Sequence, residues 1–279
     1  MHLTLSFISA NYVAREVGFK MTGGWGQGDD AANAFFRPLG TFRERFDALL
    51  AHVRGLGFEA IDLWTAHLNP AWATDEHLAI ARERLAAHRL TVPSLAGGFG
   101  DTLEAFRRSC EVARAVGAPL LGGGTPLADT HRANVVAILR EQGVKLALEN
   151  HPEKTPQAML DRLGDPAGGL IGVALDTGWF ATQGASAAEA IIALRPHLLH
   201  VHLKDIKPPR AEKTGLQLID MGHETCALCD GIADIPACIR ALLTIGYSGP
   251  IGLEHEPEEF SPDADLRLGL ARVRTWFSA

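Results

Sequence analysis

The sequence predicts an α/β fold, a single-domain (β/α)₈ barrel spanning residues 1–279. Three observations carry that prediction. Short apolar runs alternate with amphipathic helical stretches eight times at near-regular spacing, the pattern of a parallel sheet with helical crossovers. Four of the later runs each deliver one Glu, Asp or His at the carboxyl end. No linker, low-complexity tract or shift in composition divides the chain. An open doubly wound sheet is the alternative. Its dinucleotide-binding version is weakened because no G-x-G-x-x-G follows the first run.

Taken in order, Leu3–Ser9 is rich in strand formers and makes the first strand. Gly23–Asp30 (GGWGQGDD) is expected to be a glycine-rich excursion rather than a helix, either a surface loop or a lid carrying Trp25 over a pocket mouth. Thr41-x-x-Glu44 has the form of a capping box. The helix it opens would present Phe42, Phe46, Leu49, Leu50 and Val53 on one face and stop at Leu56-Gly57. Ile61–Trp64 is the second strand and releases His67 into a loop ending at Pro70; a helix runs from Thr74 or Asp75 to about His88. Leu90–Leu95 is the third strand, ending in Gly97-Gly98, and Asp101-x-x-Glu104 caps a helix ending at Gly117. Pro119–Leu121 is a short fourth strand followed by Gly122–Gly124, a triplet able to cradle a phosphate but weak as a motif. A helix over roughly Thr130–Glu141 leads to the fifth strand, Val144–Glu149. Next come a helix over Pro156–Leu163, the sixth strand at Gly172–Asp176, and a helix capped by Ser186-x-x-Glu189. The seventh strand is Leu198–His202. Ile206–Asp230 is expected to be a long irregular insertion, before a helix at Asp234–Leu243, the eighth strand at Ile251–Glu254 and a closing helix at Ala264–Phe277.

Composition narrows the function classes. An apolar fraction of 47% and a charged fraction of 21% are ordinary for a globular enzyme. The net charge of −7, without a basic cluster, disfavours nucleic acid as a partner. No apolar run approaches the ~20 residues that span a bilayer, and Met1–Ser6 lacks the pattern of a signal peptide. Four cysteines, three of them within Cys226–Cys238, are too few for a disulfide framework in this chain. The expectation is a reduced, cytoplasmic protein. Cys226-x-x-Cys229 has no second pair to complete a zinc site and is taken as two ordinary thiols.

The fifth run, Val144-Lys-Leu-Ala-Leu-Glu-Asn-His-Pro152, is the most informative. A parallel strand covered on both faces is almost continuously apolar, and a carboxylate at its end must be solvated or neutralised, because an unpaired buried charge costs several kcal/mol. The same event recurs at Ile171-Gly-Val-Ala-Leu-Asp176, Leu198-Leu-His-Val-His202 and Pro250-Ile-Gly-Leu-Glu254. A lone strand-end carboxylate is more often a helix cap or ion-pair partner, and a lone histidine more often a satisfied core residue. In a barrel, however, all carboxyl ends meet on one face, so Glu149, Asp176, His202 and Glu254 converge. Three carboxylates repel unless a cation sits among them. With one imidazole they form an O₃N set suited to one divalent ion, Mn²⁺ first, with Mg²⁺, Co²⁺ or Zn²⁺ as alternatives.

The segments LALENH, ALDTGW, HVHLKD and IGLEHE, together with IDLWTAH on the second strand, resemble the xylose-isomerase-like superfamily of sugar isomerases and epimerases. The resemblance covers nearly the whole chain. It implies a TIM barrel with one divalent metal held by Glu149, Asp176, His202 and Glu254, and a small carbohydrate as substrate. In ketose 3-epimerase-like members the glutamates of strands five and eight both ligate the metal and exchange protons with the substrate, which maps those roles onto Glu149 and Glu254. The implied chemistry is abstraction of a proton beside a carbonyl to give an enediolate, stabilised by the metal as Lewis acid. Inosose dehydratase-like and C-glycoside-cleaving relatives imply elimination as the alternative, and a vestigial binding protein is a third reading. A homo-oligomer is compatible with all of them.

The chain departs from the family at Trp179, where many members carry His, and at Asp220-Met-Gly-His223, whose spacing is wrong for the Asp-x-His pair of apurinic endonucleases. It also has Cys229-Asp230-Gly231 where members often have Gly-Glu-Gly. Trp179 is then either a wall of the substrate pocket or a core residue. His67 and His151 are candidates for contacts to substrate hydroxyls, His67 with a satisfied surface histidine as the alternative. Lys204 is a further substrate-binding candidate, with pairing to Asp205 as the competing role.

Overall fold

The computed structural model describes residues 3–208 and 223–278. Its strands are β1 (Leu5–Ile8), β2 (Ala60–Trp64), β3 (Ser94–Gly98), β4 (Leu120–Gly124), β5 (Lys145–Glu149), β6 (Ile171–Asp176), β7 (Leu198–Lys207), β8 (Glu224–Cys226) and β9 (Ile251–Glu254). Its helices are α1 (Trp25–Phe36), α2 (Leu39–Leu56), α3 (Asp75–His88), α4 (Leu103–Ala115), α5 (Leu127–Thr130), α6 (Arg132–Gln142), α7 (Pro156–Leu163), α8 (Thr177–Thr182), α9 (Ala187–Leu194), α10 (Ile235–Thr244) and α11 (Asp263–Ser278). β1 to β7 follow one another in parallel, and β9 lies between β7 and β1. These eight strands close a barrel, as predicted. β8 is an addition, pairing antiparallel with the outer half of β7. Among the described residues no helix is long and apolar enough to cross a membrane.

Alternation along each strand separates two environments. One set, including Phe7, Ile61, Leu63, Leu95, Leu121, Leu146, Leu148, Val201 and Leu203, is fully buried under the surrounding helices. The helix α2 meets it with Phe42, Phe46, Leu49, Leu50 and Val53, the face read from the sequence. The opposite set points into the barrel. There Asp62 on β2 is wholly buried and accepts hydrogen bonds from Ser94 Oγ on β3 at 2.8 Å and from Ser6 Oγ on β1. His200 Nε2 on β7 lies 3.1 Å from the same carboxylate. Burial pushes the Asp62 carboxyl up, but His200 and the Ser6 hydroxyl outweigh it and hold it below its ordinary value. A Cβ on Gly252 would come within 2.8 Å of Asp62 Oδ2, so β9 passes this layer on a glycine.

Several local expectations are corrected. The excursion at Gly23–Asp30 turns into helix α1 from Trp25 onward. Gly24, at φ +73°, provides its entry, and Gly28 lets it lie against the Val13 carbonyl, where a Cβ would sit 2.1 Å from the oxygen. Thr41 caps nothing: α2 starts earlier, at Leu39 after Pro38. The cap of α4 is Thr102, whose side chain accepts from Ala105 N–H, rather than Asp101. β3 begins after Pro93, which cannot donate to a ladder; before it only Thr91 bridges, to Ala60. Gly122–Gly124 is not a loop but the end of β4, paired with Ala96–Gly98. A Cβ on Gly123 would lie 2.1 Å from the Gly97 carbonyl. Within the expected irregular insertion, β7 runs on to Lys207 and pairs with β8; residues 209–222, including Asp220, lie outside the described residues.

Candidate metal centre

β7 shows how the barrel delivers its chemistry. With a period of two, His200, His202 and Lys204 stack on the inner face while Val201, Leu203 and Asp205 point outward. His200 belongs to the Asp62 layer, His202 to the next one up and Lys204 to the mouth. Register then brings in the neighbours: Asp176 of β6 pairs with His202, and Glu254 of β9 pairs with Lys204. Glu149 arrives on the end of β5. Glu149, Asp176, His202 and Glu254 each place one ligand atom within 4.8 Å of the others, a group able to hold a metal ion.

The donor set fits a cation better than it fits itself. His202 Nδ1 lies 3.0 Å from both Glu149 Oε1 and Glu254 Oε2. Yet neither nitrogen of His202, nor Glu254 Oε2, makes an aligned hydrogen bond among the described residues, although all three atoms are buried. Native structures rarely leave such atoms orphaned. Burial opposes charge on His202, but the two glutamates prevail and hold its pKa well above the ordinary value. Burial likewise pushes Glu149 up, and His151 and His202 outweigh it, holding that carboxyl at about 2. Asp176 goes the other way: burial raises it more than Lys204 lowers it.

The two glutamates are not equivalent. Lys204 Nζ sits 2.6 Å from Glu254 Oε1 and 2.9 Å from Glu256 Oε2. Burial works against its charge, but Glu254, Glu256 and Asp176 keep the ammonium protonated. The outer oxygen of Glu254 is thus tied down. The Glu149 side chain is 21% exposed, compared with 8% for Glu254, and its Oε2 faces His151 Nδ1 at 3.8 Å.

The cavity above the cluster, about 440 Å³, is lined by all four of these residues and by His151, Trp179 and Lys204. Trp179 therefore walls the pocket. Its indole N–H donates to the Glu153 carbonyl at 2.9 Å, and its ring meets His151 edge to face with centroids 4.5 Å apart. Trp25 also lines the cavity, as the lid reading expects of its position, but it does so from a helix. His67 is placed elsewhere. It is 2% exposed, packs between Phe36 and Trp64, and shares a hydrogen bond with Ser9 Oγ at 2.9 Å. It stands behind Trp64 and outside the cavity lining, with burial pushing its pKa down to about 3. Lys204 and Asp205 do not pair: they face opposite ways. Asp205 accepts backbone N–H bonds from Ile206, Cys229, Gly231 and Ala233 at 2.9–3.0 Å, pinning the segment after β8. Cys226 is buried on β8 and Cys229 is exposed, both as free thiols.

The model of the family described as xylose isomerase-like TIM barrel matches residues 50–276. The chain belongs to the xylose isomerase-like TIM-barrel family. Among curated proteins in its range, the inosose dehydratase of Klebsiella pneumoniae is 26% identical over 158 residues, 50% of this chain and 53% of that protein. The chain thus spans about half the length of the curated relatives it matches. Among solved structures, a zinc-binding IOLI protein superposes with a TM-score of 0.70 at 17% identity, over 99% of this chain and 98% of the other. An L-ribulose 3-epimerase superposes with a TM-score of 0.67 at 17% identity, over 99% and 95%. At these identities the superpositions show the fold alone.

Within this xylose isomerase-like barrel, sequence reasoning missed Glu256, Asn150 and the Asp62 layer. Glu256 was readable: it follows Glu254 by two residues, the strand period, and so emerges on the same side. Burial raises its carboxyl to about 7 against the pull of Lys204. Asn150 Oδ1 accepts the Asp176 N–H at 2.6 Å and its Nδ2 donates to the Asp176 carbonyl at 3.2 Å, clamping the end of β6. Nothing in the apolar pattern announces that clamp.

Proposed function

We propose that the chain is a divalent-metal-dependent isomerase or epimerase acting on a polyhydroxy ketone, a keto-sugar or a related compound. The observation that carries this reading is the cluster Glu149, Asp176, His202 and Glu254, with its orphaned imidazole between two carboxylates. Those four residues would hold the ion, with Mn²⁺ first among the candidates for an oxygen-rich set containing one nitrogen. When bound, the ion supplies Lewis-acid polarisation of a carbonyl beside the glutamates.

The protein's own groups do the rest. Glu149, exposed to the cavity, is the carboxylate free to take a proton from the carbon next to the carbonyl. Glu254 sits across the cluster, 2.6 Å from Lys204 Nζ; it can pass to the carbon a proton drawn from that ammonium, leaving Glu149 protonated, or accept one in the reverse direction. Return to the opposite face inverts a stereocentre, and return to the neighbouring carbon moves the carbonyl. His151, Trp179 and Lys204, all in the cavity lining, would orient the substrate, with His67 supporting the wall from behind Trp64. The similarity to inosose dehydratases favours a second reading, elimination of a β-hydroxyl after the same proton abstraction.

Proton NMR in D₂O over ketoses, 3-keto-sugars and inososes, with the Mn²⁺-loaded chain and again with chelator, tests both. Metal-dependent deuterium incorporation beside the carbonyl is the expected result. An olefinic product selects elimination. A chain that binds metal but exchanges no proton on any of these compounds would overturn the enzymatic reading.

A further inference from the structure

The cavity is divided. Every charged side chain in its lining comes from the β5, β6, β7 and β9 side: the four cluster residues, Lys204 and Glu256, with His151 beside them. The opposite half is built by β1 to β4 and α1, and its lining includes Ile8, Trp25, Trp64, Ala96, Gly98 and Gly122. Among the described residues no carboxylate, amide, hydroxyl or ammonium side chain lines this half. The Trp25 indole N–H is directed at Glu256 Oε1 at 3.4 Å, and the two indoles meet edge to face with centroids 5.1 Å apart. The backbone there is engaged too: the β3–β4 ladder runs to Gly98–Gly124, and Phe99 N–H bonds the Gly124 carbonyl. A Cβ built on Gly98 meets nothing within 4 Å, so the missing side chain leaves a recess in the wall.

Hydroxyls confined against such a wall would exchange water for no partner, which costs binding. A free ketose or a cyclitol carries hydroxyls around its whole edge and offers such a wall only the C–H faces of its ring. It satisfies the charged half of the cavity and leaves much of the other unfilled. At about 440 Å³ the cavity is within the range of order 300–1,000 Å³ typical of small-molecule pockets.

Resting on the proposed function for its polar end, we propose that the substrate is a polyhydroxy ketone bearing a planar apolar substituent, such as an aryl keto-glycoside. The ketone end lies over the cluster, and the aryl ring lies against Trp25, Trp64 and the Gly98 recess.

The test is calorimetric titration of the Mn²⁺-loaded chain with phenyl and methyl 3-keto-β-D-glucopyranoside, D-fructose and scyllo-inosose. The phenyl compound should bind at least about tenfold more tightly than the methyl one, the effect of burying one ring. Gly98→Leu should abolish that difference, with Mn²⁺ affinity as the control for folding. Its φ lies outside the left-handed region, so a side chain is conformationally admissible. Independently of any variant, saturation-transfer NMR on the unmodified chain should label the phenyl protons more strongly than the sugar protons. Equal affinity for phenyl and methyl compounds, tighter binding of fructose or inosose, or unlabelled ring protons would overturn the proposal. Deuterium exchange is scored separately. Exchange on all four compounds without preference sinks the aryl substrate and leaves the proposed function standing. Preferential phenyl binding with neither exchange nor elimination does the reverse.

Discussion

At the scale of single residues, the four members of the candidate metal group were legible because each breaks an apolar strand with a group that cannot be buried alone. Glu254→Gln should leave a chain that still binds Mn²⁺ but loses proton exchange by at least about 10²-fold, the typical contribution of a positioned acid–base group; full exchange activity in the variant would remove Glu254 from the mechanism. His67 was legible as a histidine near a strand end and not as a buried one, since its burial comes from Phe36, thirty-one positions away in the sequence. That burial has a consequence for acid stability. The folded pKa of about 3 lies below the ordinary 6.5, so the unfolded chain takes up the proton first. The stability from keeping His67 neutral is complete above about pH 6.5 and is lost progressively as pH falls toward 3. By pH 5 the loss is about 2 kcal/mol. Urea midpoints at pH 7 and pH 5 should therefore fall further for the unmodified chain than for His67→Gln; equal falls would refute the assignment.

Elements were legible wherever local pattern and tertiary context agree, as in α2, whose apolar stripe is the face it buries. They were misread where glycine is used for close approach. In α1 and β4 glycine is present because a neighbouring carbonyl leaves no room for a Cβ, and neither contact is local in sequence. The junction of β6 and α8 combines two functions that were weighed as alternatives. Asp176 Oδ1 accepts the Trp179 N–H at 3.0 Å as the cap of α8, while the same carboxyl belongs to the group able to hold a metal. Asp176→Asn retains a capping oxygen, and asparagine caps as well as aspartate. Its unfolding free energy without metal should stay within about 0.5 kcal/mol of the unmodified chain, while Mn²⁺ affinity, measured by calorimetry, drops at least about tenfold as one anionic ligand is lost. An unchanged affinity would exclude Asp176 as a ligand.

For the molecule as a whole, eight-fold alternation was enough to predict the closed barrel, because helices between parallel strands leave few other arrangements. The polar layer inside it was not legible: Ser6, Asp62, Ser94 and His200 come from four strands, and only closure brings them together. Removing the carboxylate strands His200 and two hydroxyls in the interior, so Asp62→Ala should destabilise the fold by about 3–5 kcal/mol, read as a lowered urea midpoint at unchanged slope. A change below 1 kcal/mol would show that the layer is not tied through Asp62.

Closure also has a timetable. β1 pairs with β9, Leu5 opposite Ile251, so one of the earliest strands of the chain must wait for one of the last before both its sides are covered. At a ribosomal pace of about 5–20 residues per second, that interval is roughly 10–50 s. Throughout it β1 lacks the partner that covers its second side, and the chain lacks Glu254. The strand that seals the barrel also carries Glu254, so the group of residues able to hold a metal is complete only when the barrel can close.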